Sequence, residues 1–259
     1  MVLVNGAFID SVKANDRGLM YGDGVFRTLR IVNGVPLHWE RHYLRLKLDC
    51  DAVGIVCPEI ECLTRELGAV HGDCVAKIIV TRGVGGRGYL PQVCSEPTRI
   101  IVTSPLPAAN FREIRAHLCT LRLSHQPRLA GIKHLNRLEN VLARSEWRED
   151  DVPEGLLLDI DGNVIEGTMS SLFLYASGGL IAPDLSLCGV DGVQRERIFE
   201  FSSGHGVPME IRSFGIDFLK QADEVFLVNS VIGLWQIVEI DGMIWQKGPF
   251  CENLRNWLQ

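Results

Sequence analysis

A lysine does covalent chemistry only where part of its population is neutral, and the stretch Ala130 to Asn140 (AGIKHLNRLEN) offers such a setting. Lys133 follows the apolar, glycine-containing run Leu129, Ala130, Gly131 and Ile132 and comes just before a helix-forming segment. Partial desolvation there favours the free amine, which attacks aldehydes and other carbonyls to form a Schiff base. Taken alone, a lysine beside a helix start is more often a solvated charge. The case therefore rests on what the rest of the chain supplies.

If Lys133 holds an aldehyde cofactor, pyridoxal 5'-phosphate being the usual one, three needs follow: donors and a cation for the phosphate, a partner for the ring nitrogen, and a surface for the substrate. For the phosphate, CGVDGVQRERI puts Gly189 and Gly192 before a helix, so that the free N–H groups of its first turn can face an anion. A glycine loop before a helix is ordinary by itself. Asn229-Ser230, after the apolar strand Glu224 to Val228, is a second donor-rich loop, and Arg45 can supply the cation, although it also reads as the solvated face of a helix. For the ring nitrogen, Glu166 leaves a strand into GTMSS; a carboxylate there would keep the nitrogen protonated, and the plainer reading is a strand-end glutamate in water. For the substrate, RGVGGRGY carries Arg87 and Tyr89 on a glycine-rich loop, and the planar fork of an arginine suits a carboxylate. The order of its glycines and the lack of a following helix do not fit a dinucleotide fingerprint.

Stepping along the chain, Val2 to Ile9 reads as a strand broken by Asn5-Gly6, and Gly18, Gly22 and Gly24 punctuate a bulky segment, which suggests close backbone approach. Phe26 to Val32 is a strand that Asn33-Gly34 turns into Val35 to Leu37. Helical spacing covers Trp39 to Val53, a second helix Glu59 to Ala69, and strands follow at Ala76 to Thr81 and Arg99 to Thr103. Ser104 to Ala109, with Pro105 and Pro107, is the expected linker. Beyond it come a strand at His117 to Leu123 and a helix over His134 to Trp147, whose buried side is Leu135, Leu138, Val141 and Leu142. Leu156 to Asp159 and Val164 to Glu166 flank a hairpin turn. Further strands are Leu172 to Tyr175, Leu180 to Ala182, Glu210 to Ser213, Asp223 to Val228 and Trp235 to Ile240, with helices after Gly192 and over Phe250 to Leu258. Many strands joined by turns argue for an α+β fold in two domains, residues 1–106 and 107–259, the second carrying Lys133.

A chain of 259 residues with 46% hydrophobic content can bury a large core, and a net charge of −6 without a basic block gives no electrostatic case for nucleic acid. Eight cysteines lack metal-ligand spacing and read as reduced thiols, so no metal is expected. The first ten residues do not read as a signal peptide, and no apolar run is long enough to span a bilayer. A cytoplasmic enzyme with a small-molecule substrate is the expectation.

The ordered motifs VNG near residue 5, DRG and YGDGVF within 16–26, HxxRL at 42–46, RGxGGRGY at 82–89, GIKHLNRLEN at 131–140, DxxGNVIEG at 159–167, GVDGVQR at 189–195 and the late Asn229-Ser230 run through nearly the whole chain. Their pattern resembles the class IV pyridoxal-phosphate aminotransferase family, of fold type IV. The resemblance implies a small N-terminal α/β sandwich and a larger C-terminal barrel-like domain, as in D-amino acid aminotransferases, in a homodimer. It implies that Lys133 binds the cofactor, that Glu166 contacts the pyridine nitrogen, and that Arg45 with Gly192, Val193, Asn229 and Ser230 holds the phosphate. Arg87 and Tyr89 are the implied substrate contacts. RGxGGRGY and GIKHLNRLE resemble the lyase branch, which implies conversion of 4-amino-4-deoxychorismate to 4-aminobenzoate and pyruvate in folate synthesis; the alternative is a branched-chain or D-amino-acid aminotransferase. Ser171 stands where many members have Asn.

Overall fold

The structure, a computed structural model, describes residues 1–91, 96–107 and 112–258. Cys94 and the last two residues of the expected linker, 108 and 109, lie outside them. The chain divides into two compact units, Met1–Ala108 with Ile132–Asn136, and Ala109–Gly131 with Arg137–Gln259.

The first unit runs β1 (Val2–Val4), α1 (Arg17–Tyr21), β2 (Gly24–Val32), β3 (Val35–Pro36), α2 (Trp39–Val53), α3 (Ile60–Leu67), β4 (Cys74–Thr81) and β5 (Thr98–Ser104). Its five strands form an antiparallel sheet in the order β1-β5-β4-β2-β3. Alternation on β2 turns Val25, Arg27, Leu29 and Ile31 to the buried side, where the two aliphatic residues at 29 and 31 join Ile78 and Ile101 of the sheet and Leu46, Cys50, Leu63 and Leu67 of the helices. Asn33-Gly34 joins β2 to β3 with φ of 52° and 76°, the left-handed pair that a two-residue hairpin requires.

The glycine-rich segment differs from the sequence reading by one element: it contains the short helix α1. Asp16 caps it by accepting from the Gly18 N–H at 2.8 Å, and Gly22 ends it at φ 66°. Close approach explains the glycines. A Cβ at Gly18 would stand 2.3 Å from Thr81 Cγ2, and one at Gly24 2.8 Å from the Val80 carbonyl.

The second unit runs β6 (Glu113–Leu123), α4 (Leu138–Arg144), β7 (Glu154–Asp159), β8 (Val164–Gly167), β9 (Ser171–Ala176), β10 (Gly179–Pro183), α5 (Val193–His205), β11 (Met209–Arg212), α6 (Ile216–Leu219), β12 (Glu224–Asn229), β13 (Gly233–Ile240), β14 (Met243–Ile244) and α7 (Pro249–Leu258). Six strands close on themselves in the order β9-β12-β13-β6-β7-β8, with β8 returning to β9 through the single pair Glu166 and Ser171. Both faces of β9 and β12 are covered, so these strands are apolar almost throughout. Leu172, Leu174, Val225 and Leu227 pack with Trp235 and Ile237 on one side, while Phe173 and Phe226 meet Ile198 of α5 and Leu254 of α7 on the other.

Two sequence expectations are corrected. The helix expected over His134 to Trp147 is only α4, and its supposed buried side is exposed: Leu138, Val141 and Leu142 are 67%, 58% and 54% accessible. The reason is orientation, since α4 packs on β6 and β7 and turns Ala143 inward. Residues 132–136 are not helical because their backbone is engaged by β2: the Phe26 N–H donates to the Lys133 carbonyl and the Leu135 N–H to the Gly24 carbonyl, each at 2.9 Å. These bonds group Lys133 with the first unit, where the sequence division had put it in the second domain.

Candidate functional site

In the first unit, Lys133 is held at three points. Its carbonyl is fixed by Phe26, its N–H donates to Asp49 Oδ2 at 3.3 Å, and its Nζ lies 4.9 Å from the centre of the Phe26 ring. An ammonium over an aromatic face is stabilised by the ring quadrupole, and the ring also removes part of its water. Lys77 on β4 puts a second amine over the same ring at 4.4 Å, and burial holds it below the usual lysine range.

Asp49 belongs to α2, on which His42, Arg45 and Asp49 follow at spacings of three and four and so share one face. Asp49 forms a buried ion pair with Arg27, whose Nη2 also donates to the Arg45 carbonyl at 3.3 Å. Burial pushes the Asp49 carboxyl above its ordinary value, opposed by Arg27 and the Lys133 N–H. His42 is 2% exposed, and neither of its ring nitrogens has a hydrogen-bond partner among the described residues. Burial, with the charges of Arg27, His38 and Lys133, lowers its pKa to about 3, so it is a neutral imidazole at physiological pH.

In the second unit, Glu166 sits at the seam where the barrel closes. It is buried, and its Oε2 accepts from the Val190 N–H at 2.8 Å. Val190 is held by its neighbours: the Gly131 N–H donates to the Gly189 carbonyl and the Asp191 N–H to the Gly131 carbonyl, each at 2.9 Å. Gly189 adopts φ 87°, and a Cβ there would meet Leu185 and Ile165 at 2.8 and 2.9 Å. Three residues beyond Val190 the 13-residue helix α5 begins at Val193, and its N-cap Gly192 makes no side-chain cap bond. N–H groups in the first turn of such a helix can donate to an anion.

Ser171 links these parts. It pairs with Glu166 on β8 and Val228 on β12, and its Oγ is 3.4 Å from where a Cβ on Gly192 would lie. Asn229, next to Val228, folds its own turn: Oδ1 accepts from the Val231 and Ile232 N–H groups at 2.8 and 2.9 Å, while Nδ2 donates to the Met169 carbonyl at 3.0 Å. Ser230 is the half-buried next residue in that turn.

The structure thus groups Glu166, Gly192, Val193, Asn229 and Ser230 within the second unit, and Lys133 with Arg45 within the first. Arg87 and Tyr89 also belong to the first unit, on an exposed loop, with Tyr89 85% accessible. Sequence reasoning missed three charges, the buried Asp49 and Glu154 and the half-buried Lys77. Asp49 was signalled only by an acid on the buried side of an otherwise legible helix. Lys77 interrupts an apolar strand. Glu154, fully buried at the start of β7, collects five donors: the Gly155 and Thr168 N–H groups at 3.0 Å, the Met169 N–H at 3.2 Å, and the Thr168 and Ser170 hydroxyls. It thereby fixes the turn that leads from Glu166 to Ser171.

An amine-bearing open sheet and a closed barrel with a carboxylate at its seam define a class of fold whose members are known. The family model Amino-transferase class IV matches residues 24–240. The chain belongs to that family. It is 34% identical to an aminodeoxychorismate lyase from Vibrio harveyi over 241 residues, 90% of this chain and 89% of that protein. The crystal structure of 4-amino-4-deoxychorismate lyase from Pseudomonas aeruginosa superposes with a TM-score of 0.94 at 43% identity, covering 100% of this chain and 98% of that one. D-alanine aminotransferase from Bacillus licheniformis is 26% identical, covering 100% of this chain and 95% of that protein.

Proposed function

We propose that the protein is a pyridoxal 5'-phosphate-dependent lyase that converts 4-amino-4-deoxychorismate to 4-aminobenzoate and pyruvate. The observation that carries this reading is its end-to-end similarity to the Pseudomonas aeruginosa lyase, well above its similarity to the D-alanine aminotransferase.

The donor set fits the cofactor. Within the second unit a carboxylate suited to a pyridinium and an uncapped helix start suited to a phosphate are tied together by the Val190 N–H. Lys133 would supply the amine for the aldehyde, Glu166 would be the partner of the ring nitrogen, and Gly192, Val193, Asn229 and Ser230 with Arg45 would hold the phosphate. When bound, the cofactor supplies an electron-poor ring that stabilises negative charge on the carbon bearing the substrate amine. Lys133 Nζ would take the proton from that carbon. The carbon–oxygen bond to the enolpyruvyl group would then break, the ring would become aromatic, and the departing enolate would be protonated to pyruvate with the proton that Lys133 had taken. Aromatisation drives this step, so the protein has mainly to position the proton and the charge. Arg87 and Tyr89 meet the substrate, Arg87 by paired hydrogen bonds to a carboxylate.

We further infer a homodimer, supported by the exposed Leu138, Val141 and Leu142 on α4, and a cytoplasmic setting, supported by seven free thiols among the described cysteines. No helix of the described residues is long and apolar enough to cross a membrane.

The test is to supply the purified protein with 4-amino-4-deoxychorismate and follow pyruvate, beside a reaction of an amino acid with 2-oxoglutarate. Equal amounts of pyruvate and 4-aminobenzoate are expected; transamination without pyruvate would overturn the reading. The second reading, an aminotransferase using a D- or branched-chain amino acid, is favoured by the full-length similarity to D-alanine aminotransferase, and the same pair of reactions decides between them. Borohydride should leave the cofactor attached to the peptide containing Lys133.

A further inference from the structure

The loop that bears Arg87 and Tyr89 is exposed, yet its backbone is fixed from one direction. At its root, Asp16 pairs with Val84, the Arg17 N–H donates to the Gly83 carbonyl at 2.8 Å, and the Gly85 N–H donates to the Asn15 carbonyl at 3.1 Å. At its tip, the Arg17 side chain takes over. Nη1 donates to the Gly88 carbonyl and Nη2 to the Tyr89 carbonyl, both at 2.9 Å, while Nε donates to Asp23 at 2.8 Å. The side chain is 4% exposed, and its guanidinium carbon lies 4.9 Å from the centre of the Tyr21 ring. Tyr21 completes the grip: its hydroxyl accepts from the Gly88 N–H at 3.1 Å, and its ring meets that of Tyr89 at 5.4 Å. The loop is cut to fit, since a Cβ on Gly85 would stand 2.7 Å from Arg17 Cδ.

We propose that Arg17 is a positioning residue for substrate selection: by holding the Gly88 and Tyr89 carbonyls it sets the backbone from which Arg87 and Tyr89 reach the substrate. This rests on the reading of those two residues as substrate contacts. The three-pronged arrangement needs a planar fork, because three separate nitrogens serve Asp23 and the two carbonyls, whereas the donors of a lysine all leave one nitrogen. Removing the grip leaves the fold a second support, as Arg82 Nε independently donates to Asp23 at 2.8 Å.

The test uses the cofactor-loaded enzyme and the Arg17→Lys variant, with pyruvate release giving kcat and KM and hydrogen exchange reporting the Gly88 amide. The expected result is a KM raised about tenfold, a kcat within about threefold of the parent, unchanged cofactor content and faster exchange at Gly88. Tyr21→Phe, which removes only the acceptor for the Gly88 N–H, should shift KM in the same direction by about two- to threefold. A lysine that restores the parent KM and exchange would overturn the proposal, because charge balance for Asp23 would then be the whole role of Arg17. Faster exchange with an unchanged KM would overturn it by removing the loop from the substrate. Failure of the lyase reading itself is seen separately, as absence of pyruvate from the parent enzyme, and leaves the exchange measurement intact.

Discussion

The carboxylates of the barrel and the polar groups around Lys133 are buried by different means. In the barrel, Glu154 is surrounded by five donors and Glu166 is fixed by a backbone N–H, so each carboxylate is held by hydrogen bonds that leave it one position. Around Lys133, polarity is handled by charge: the Arg27 and Asp49 ion pair lies beside an imidazole that makes no hydrogen bond among the described residues. Hydrogen bonds to backbone N–H groups fix geometry, whereas unpaired neighbours in a low-dielectric region leave room for a group to change its charge. On the proposed function, the barrel is the frame that would orient a ring and a phosphate. The open sheet holds the amine that would gain and lose a proton.

Replacing Lys133 with Ala tests that division most severely. Turnover should fall by about four orders of magnitude or more, since base and attachment point are lost together, while the sheet, held through the backbone at residue 133, should keep its melting temperature within a few degrees. Residual turnover near that of the parent would remove Lys133 from the chemistry. On the barrel side, Glu166→Gln keeps an acceptor for the Val190 N–H but gives up the charge. A loss in kcat/KM of about 10- to 100-fold, or about 1.4 to 2.7 kcal/mol, is expected with little change in stability. Unaltered kinetics would mean that the seam carboxylate is structural.

Glu154→Gln sharpens the comparison from the stability side. Gln turns an amide N–H₂ toward the Met169 N–H and the Ser170 hydroxyl; the hydroxyl can turn to accept from it, but the Met169 N–H loses its acceptor. A lost acceptor costs about 1 to 3 kcal/mol, and urea unfolding should show a loss of that size. A change below about 0.5 kcal/mol would show that the turn between Glu166 and Ser171 does not depend on this carboxylate.

How much of this was legible beforehand follows the range of the interactions. α2 was readable from the helical spacing over Trp39 to Val53, and the first hairpin from Asn33-Gly34, because helix faces and two-residue turns are encoded within a few residues. Lys133 stood out through Gly131 and Ile132. The exposed side of α4 was misread because periodicity gives the apolar face of a helix without saying what covers it. The extended backbone at residues 132–136, the contact of Asp49 with Lys133, and the grip of Arg17 on Gly88 all join positions about 70 or more residues apart, 84 in the case of Asp49 and 71 in that of Gly88. Local patterns carry no record of such pairings.

The smallest effect expected is the most specific to the region around Lys133. His42 has a folded-state pKa of about 3 against an ordinary value of 6.5, so between these values the unfolded chain binds a proton that the folded chain excludes. Stability contributed by the neutral imidazole is whole above about pH 6.5 and drains away as the pH falls toward about 3, by up to about 1.4 kcal/mol per pH unit. His42→Leu removes this titration together with two buried nitrogens that have no partner among the described residues. Its unfolding free energy, measured in urea from about pH 6 to about pH 4, should fall less steeply than the parent's by close to one proton. Parallel slopes would mean that His42 finds a hydrogen-bond partner or water in solution, and that the open sheet satisfies its buried polar groups as fully as the barrel does.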